Sequence, residues 1–148
     1  MLASPQTRPA PAGVYGQHLM LRLCDVTGAE RLDDPDGINE FLVTLVHAVG
    51  MRILDGPRVA TEQGDRSHYG HSAIVLLYES HAAVHTYPVR REMFLDLFSC
   101  RTFRVADVLS VCGKSFGSFG VRELTLLDRG HHWEAPVEDH LPDWVRHR

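Results

Sequence analysis

The stretch that most constrains this chain lies between residues 73 and 99, where three strand-length apolar segments follow one another after short breaks: AIVLLY (73–78), AAVHTY (82–87) and MFLDLFS (93–99). Breaks this short favour antiparallel neighbours, because a parallel crossover needs a dozen or more residues. The unbroken apolar run 73–78 is expected to be a strand covered on both faces. Upstream, residues 16–24 (GQHLMLRLC) alternate loosely, with Leu19, Leu21 and Leu23 on one face and His18, Met20 and Arg22 on the other. The turn-forming DDPDG (33–37) suits a helix cap. From Ile38 to Val49 the apolar residues Ile38, Phe41, Leu42, Leu45, Val46 and Val49 recur at steps of three and four, an amphipathic helix that Gly50 ends.

Residues 51–60 read as a second strand, weakened by Gly56-Pro57, and the polar TEQGDRSHYGH (61–71) reads as a site-forming loop. A second helix is expected over about Val105 to Phe116, with Val105, Val108, Leu109 and Cys112 on one side, and a last strand over Val121 to Leu127. The order strand, helix, several strands, helix, strand predicts an α+β fold: a two-layer sandwich, mainly antiparallel, with helices on one face of the sheet. The uncovered face calls for a partner, so a homodimer with its sheets stacked is expected. The 148 residues fit one domain. It is expected over 16–130, after a Pro/Ala-rich leader (1–15) and before a C-terminal extension (131–148). His131, His132, His140 and His147 match no standard metal spacing and read as a solvated tail, with no metal site expected.

A hydrophobic content of 44% and a charged content of 23% are those of an ordinary globular chain. A net charge of -4 with 15 scattered basic residues argues against a nucleic-acid partner. No apolar run reaches membrane-span length, and the N-terminus lacks the apolar core of a signal peptide. Three cysteines without CxxC spacing suit a reducing compartment, so a cytoplasmic protein is expected. Cys24 and Cys112 sit on apolar faces and read as core.

The chemistry-bearing residues cluster between 70 and 100, where Ser72, Glu79, Ser80, His85 and Cys100 fall at or near strand ends. Strand pairing is expected to bring Cys100 and Ser72 back beside Ser80 and His85. Such a set has three readings. A hydrolase needs a nucleophile, a base and an orienting acid, but there is no GxSxG elbow and the nearest carboxylate, Glu79, adjoins the serine. A metal site has His81, His85 and Cys100 but no usual ligand spacing. In the third, the backbone is the substrate. A serine hydroxyl at a strained turn attacks the preceding carbonyl, and elimination of the resulting ester leaves dehydroalanine, which hydrolyses to a pyruvoyl group.

In order and spacing these residues resemble the bacterial S-adenosylmethionine decarboxylases. The motifs are Glu79-Ser80-His81, then His85-Thr86-Tyr87-Pro88, then Asp96-Leu97-Phe98-Ser99-Cys100, with weaker likeness from Gly16 to about Gly130. The resemblance implies cleavage between Glu79 and Ser80 and conversion of Ser80 to the pyruvoyl cofactor. That group would form a Schiff base with a small amino-acid-type substrate and take up electrons as CO2 leaves, as PLP does elsewhere. It further implies that His85 assists processing at the elimination step, that Ser72, in a Gly-x-Ser segment, is the processing serine, and that Cys100 protonates the carbanion. The implied fold is the same sandwich, dimerising through its sheets.

Two positions depart from the family. Where a Glu holds the ribose hydroxyls stands Val89, and where an aromatic stacks on the adenine stands Arg66, with His68 or Tyr69 as substitutes in a shifted loop. An unmatched buried hydroxyl costs roughly 1–3 kcal/mol and a lost stacking partner roughly 0.5–1.5, together about two orders of magnitude in nucleoside affinity. A cationic amino acid such as ornithine or arginine is therefore favoured over S-adenosylmethionine. Glu62, Asp65 and Glu92 are candidate partners for the cation, with Arg90 and Arg91 opposing. A non-catalytic binding or regulatory subunit and a Ser/Cys hydrolase are the other classes, and neither predicts a cut chain.

Overall fold

In each central strand every second side chain lies beneath a layer of helices, and the rest face the other way. The structure, a computed structural model, describes residues 14–131. In chain order these form β1 (Val14–Cys24), α1 (Ala29–Leu32), α2 (Pro35–Ala48), β2 (Ile53–Glu62), β3 (Gly70–Leu77), β4 (Ser80–Tyr87), a 3-10 turn (Pro88–Arg90), β5 (Glu92–Ser99), α3 (Val105–Phe116) and β6 (Gly120–His131). The six strands make one sheet in the order β2-β3-β4-β5-β1-β6, and every neighbouring pair is antiparallel. This is the expected α+β sandwich. The covered face supplies Leu19, Leu21, Leu23, Val75, Leu77, Val84, Leu95 and Leu97, all buried. Across them lie Ile38, Phe41, Leu42, Leu45 and Val46 of α2, and Val108, Val111, Cys112 and Phe116 of α3. The Phe41 and Phe116 rings meet with centroids 4.8 Å apart and lock the two helices together. Burial pushes the Cys112 thiol up to about 12, as a core cysteine requires.

The structure corrects the sequence reading in several places. The run 73–78 is not covered on both faces, since Ile74, Leu76 and Tyr78 are 45%, 43% and 59% exposed. The helices occupy one side only, and the apolar character of these residues belongs to the uncovered side. The helix starts at Pro35, not Ile38, because the Asp34 carboxylate accepts from the Asp36 N–H at 3.1 Å and Pro35 occupies the first turn. Those residues carry no apolar periodicity to read. The short α1 was missed for the same reason, burying only Leu32.

The polar loop is shorter than 61–71, since Thr61 and Glu62 pair with His71 and Gly70 in the β2–β3 ladder. β6 is longer than expected, running along β1 until Val14 faces His131. The strands thus claim residues 14, 15 and 131 from the leader and extension. The rest of both segments, including His132, His140 and His147, lies outside the described residues. Among the described residues no helix is long and apolar enough to cross a membrane.

Phe41→Ala removes one partner of the contact between α2 and α3 and is expected to cost about 3–5 kcal/mol of folding stability. Denaturant unfolding measures it, and a loss under about 1 kcal/mol would mean that the helix layer does not depend on this contact.

Candidate active site

β3 and β4 are joined by a two-residue turn, Tyr78-Glu79, which sets Leu77 opposite Ser80. Ser80 has φ 140°, a backbone conformation that costs a residue with a Cβ. Four hydrogen bonds pin the turn. The Cys100 N–H donates to the Glu79 carbonyl oxygen at 2.8 Å, and the Tyr78 N–H donates to the Arg52 carbonyl at 3.1 Å. The Glu79 carboxylate, 3% exposed, accepts from the Arg52 N–H at 3.0 Å and from Arg52 Nε at 3.2 Å. The Arg52 guanidinium also lies over the Tyr78 ring, 4.7 Å from its centroid. A carboxylate buried this deeply needs such partners, and it has them. The expected approach of Cys100 to Ser80 is thus present, since Ser80 faces Ser99 across the β4–β5 ladder.

The remaining pair lies elsewhere. Ser72 faces His85 in the β3–β4 ladder, and Ser72 Oγ is 2.7 Å from His85 Nδ1 on the uncovered face. Gly70 opens this end of β3, where a Cβ would collide with the Thr86 carbonyl. But His85 stands five residues along β4 from Ser80, about 17 Å at strand rise. The expected single cluster of Ser72, Ser80, His85 and Cys100 is therefore not formed within one chain. The two-residue turn is the reason: once Leu77 faces Ser80, Ser72 and His85 must meet five steps down the ladder.

A cavity of about 220 Å³ opens at the Ser72–His85 end, lined by Glu62, His68, Gly70, His71, Ser72, His85, Thr86 and Tyr87. Of the three carboxylates suggested for a cation, Glu62 lines this cavity. Asp65 is committed within its own loop to Ser67 and His68, contacts that bring it down to about 2. Glu92 is held by Arg22 at 2.8 and 3.2 Å. Arg90 and Arg91 do not line the cavity, and their Nε groups donate to the carbonyls of Ser67 and Val26. Neither does Arg66 or the 59% exposed Val89.

Of the two aromatic substitutes, His68 reaches the cavity, whereas the Tyr69 hydroxyl donates to Asp33 at 2.7 Å. Asp33 also meets Nε2 of the buried His71 at 2.8 Å, and the bonds from Tyr69 and then His71 hold its carboxyl below the ordinary value.

Two groups escaped the sequence reading. Arg52 looked like an ordinary strand-start cation, and nothing in a linear sequence ties it to Glu79, 27 residues on. On the uncovered face, Phe98 gathers His18 and His81 (ring centroids at 5.7 Å each) and the Arg129 guanidinium at 4.1 Å. Arg129 Nη1 is 3.2 Å from His18 Nδ1. His18, His81 and Phe98 share a strand parity that can be read in advance, but Arg129 joins them only through the extra length of β6.

Comparison with known proteins is consistent with this geometry. A family model described as S-adenosylmethionine decarboxylase matches residues 17–130. The S-adenosylmethionine decarboxylase proenzyme of Methanococcus maripaludis is 32% identical over 85 residues, covering 57% of this chain and 65% of that protein. The chain thus spans just under two thirds of that relative. A protein named S-adenosylmethionine decarboxylase proenzyme 2 from Bacillus cereus is 31% identical over 88 residues, covering 60% and 67%. The proenzyme of Pseudomonas aeruginosa is 26% identical over 153 aligned positions, covering 95% and 92%. The crystal structure of the adenosylmethionine decarboxylase of Aquifex aeolicus superposes with a TM-score of 0.66 at 20% identity, covering 84% of this chain and 98% of that one, which establishes the shared fold.

Folding lowers the pKa of His18 below 6.5, chiefly by burial, with Arg129 and His81 adding to the effect and Asp96 opposing it. Below that value the unfolded chain binds more protons than the folded one, so stability is retained above about pH 6.5 and falls as the pH drops through it. In His18→Gln the fall in melting temperature between about pH 7.5 and 5.5 should be shallower than in the unmodified protein. Parallel curves would show that His18 does not report this burial.

Proposed function

Because the chain belongs to the S-adenosylmethionine decarboxylase family, we propose that it is a self-processing proenzyme. It cuts itself between Glu79 and Ser80, converts Ser80 into a pyruvoyl group and decarboxylates an amino-acid-type substrate in the cytoplasm. One observation carries the reading: the Glu79 carbonyl sits at a two-residue turn before a strained Ser80 and accepts the Cys100 N–H at 2.8 Å. When Ser80 Oγ adds to that carbonyl carbon, negative charge grows on the oxygen, where the Cys100 N–H already points. Collapse breaks the Glu79–Ser80 C–N bond and leaves an ester, relieving the strain at Ser80. Loss of the Ser80 Cα proton then breaks the Cβ–Oγ bond and frees the main-chain carboxylate of Glu79. The dehydroalanine left at residue 80 takes up water and loses ammonia.

The pyruvoyl carbonyl supplies the electron sink for CO2 loss. Cys100, adjacent to it, gives a proton to the substrate carbon that has lost CO2. His85, steadied by Ser72, serves the elimination step. Its own chain holds it about 17 Å from Ser80 along β4, so this role requires the partner's copy. Two sheets stacked by their uncovered faces, about a twofold axis crossing the strands, bring each Ser72–His85 pair over the partner's Ser80–Cys100 end. The exposed Ile74, Leu76 and Tyr78 supply apolar surface for that contact. The working unit is thus a homodimer of cleaved protomers.

The cavity supports a cationic amino acid such as L-ornithine or L-arginine over S-adenosylmethionine. Glu62 offers a carboxylate there, its Oε1 also accepting the Gly64 N–H at 2.6 Å, and the departures at Val89 and Arg66, outside that cavity, remain the sequence argument against a nucleoside. The same departures at Val89 and Arg66 also suit a non-catalytic binding subunit, which would leave the chain whole.

Intact-mass measurement should find two chains, 1–79 and 80–148, the second reactive with phenylhydrazine, while Ser80→Ala stays whole. Co-expression tests the shared site. His85→Ala alone should process at least tenfold more slowly, the scale of a lost general acid–base group. Mixed with Ser80→Ala, which still carries His85, part of the His85→Ala chain should regain cleavage. No recovery would mean that His85 acts within its own chain or not at all. In a substrate panel, CO2 release is expected from ornithine or arginine. Brisk release from S-adenosylmethionine alone would overturn the retargeting.

A further inference from the structure

The contacts around Glu79 reach beyond the groups that perform the cut. Arg52, from the segment joining α2 to β2, grips the turn at three points: its N–H and Nε hold the two Glu79 carboxylate oxygens, and its carbonyl accepts the Tyr78 N–H. A fourth contact stacks the guanidinium over Tyr78. On the far side the turn is held by the Cys100 N–H on the Glu79 carbonyl. Both residues before the scissile bond are therefore fixed from two directions, and Ser80 immediately after it carries the φ of 140°.

We infer that Arg52 is a positioning residue for self-cleavage, holding Glu79 so that Ser80 stays in its strained conformation and the Glu79 carbonyl stays on the Cys100 N–H. The inference rests on the self-processing reading. Arg52 touches no reacting atom. Its side chain is 68% exposed, while the carboxylate that it holds is 3% exposed, so Arg52 also keeps a buried charge partnered at the turn. Backbone strain at Ser80 brings the amide form closer in free energy to the ester that replaces it. Releasing the clamp lets the turn relax and shifts that equilibrium back toward the amide. After the cut, the same contacts would hold the new C-terminus at Glu79.

Hydroxylamine, which cleaves esters and spares amides, separates this step from the later ones. In a His85→Ala background elimination is slowed, so the hydroxylamine-cleavable fraction reports the amide–ester balance. Adding Arg52→Ala should lower that fraction about tenfold, the scale of one strained backbone residue. Both variants keep the backbone N–H and carbonyl of residue 52; Arg52→Lys keeps the charge as well but loses Nε, and should fall between. In the otherwise unmodified chain Arg52→Ala should lengthen the half-time of cleavage by a similar factor, beyond what its loss of melting temperature accounts for. An unchanged ester fraction, or cleavage slowed only in proportion to lost stability, overturns the clamp and leaves self-processing intact. A whole, ester-free unmodified chain overturns self-processing itself and the clamp with it.

Discussion

The site depends on the length of one hairpin. With only Tyr78 and Glu79 between β3 and β4, the register admits no choice: Leu77 meets Ser80 and Ser72 meets His85. A one-residue slip would turn every side chain of one strand to the opposite face, placing Val75 and Leu77 in the open and Ile74 and Leu76 beneath the helices. The buried face forbids that, so packing far from the turn determines which peptide bond lies at its tip. The turn in turn bears on β5, because Ser80 pairs with Ser99 and the next residue, Cys100, donates its N–H to Glu79.

The two faces of the sheet divide the work. One buries Leu, Val and Met side chains under α2 and α3 and supplies the cohesion. The other carries His18, His81, His85, Ser72, Arg22 and Phe98 among exposed aliphatic residues, a mixture that suits contact with polar ligands and with a second sheet. Division by face lets polar residues vary without unsettling the core. The positions that the sequence motifs mark as departures, Arg66 and Val89, lie in the loop before β3 and in the 3-10 turn, outside the ladders altogether.

Much of this was legible in the residue order. The α2 stripe from Ile38 to Val46 and the parity of Leu19, Leu21 and Leu23 follow from local periodicity, which survives translation into structure. The motifs around Ser80, His85 and Cys100 were equally visible, because each sits within one segment. What could not be read was distance. Five residues is a short interval on paper and a long one in an extended strand, so grouping Ser80 with His85 treated sequence neighbours as spatial ones. The Arg52–Glu79 pair failed in the opposite way: 27 residues apart, these groups are joined only by the path of β2 and β3. The apolar run 73–78 misled because apolar residues on the uncovered face and residues buried in their own chain share one vocabulary.

Strand order gives a cut at residue 79 an unusual outcome. The first piece holds β1, β2 and β3, and the second holds β4, β5 and β6, yet β1 lies between β5 and β6. The two products are thus interdigitated, sharing three hydrogen-bonded seams: β3 with β4, β5 with β1, and β1 with β6. To part them, β1 must be drawn out from between its two neighbours with the helix layer breached. Severing the backbone therefore creates two polypeptides without creating two bodies. Such a nick would exchange a covalent tether for three hydrogen-bonded seams, and the new chain end at residue 80 would arise inside an already assembled sheet.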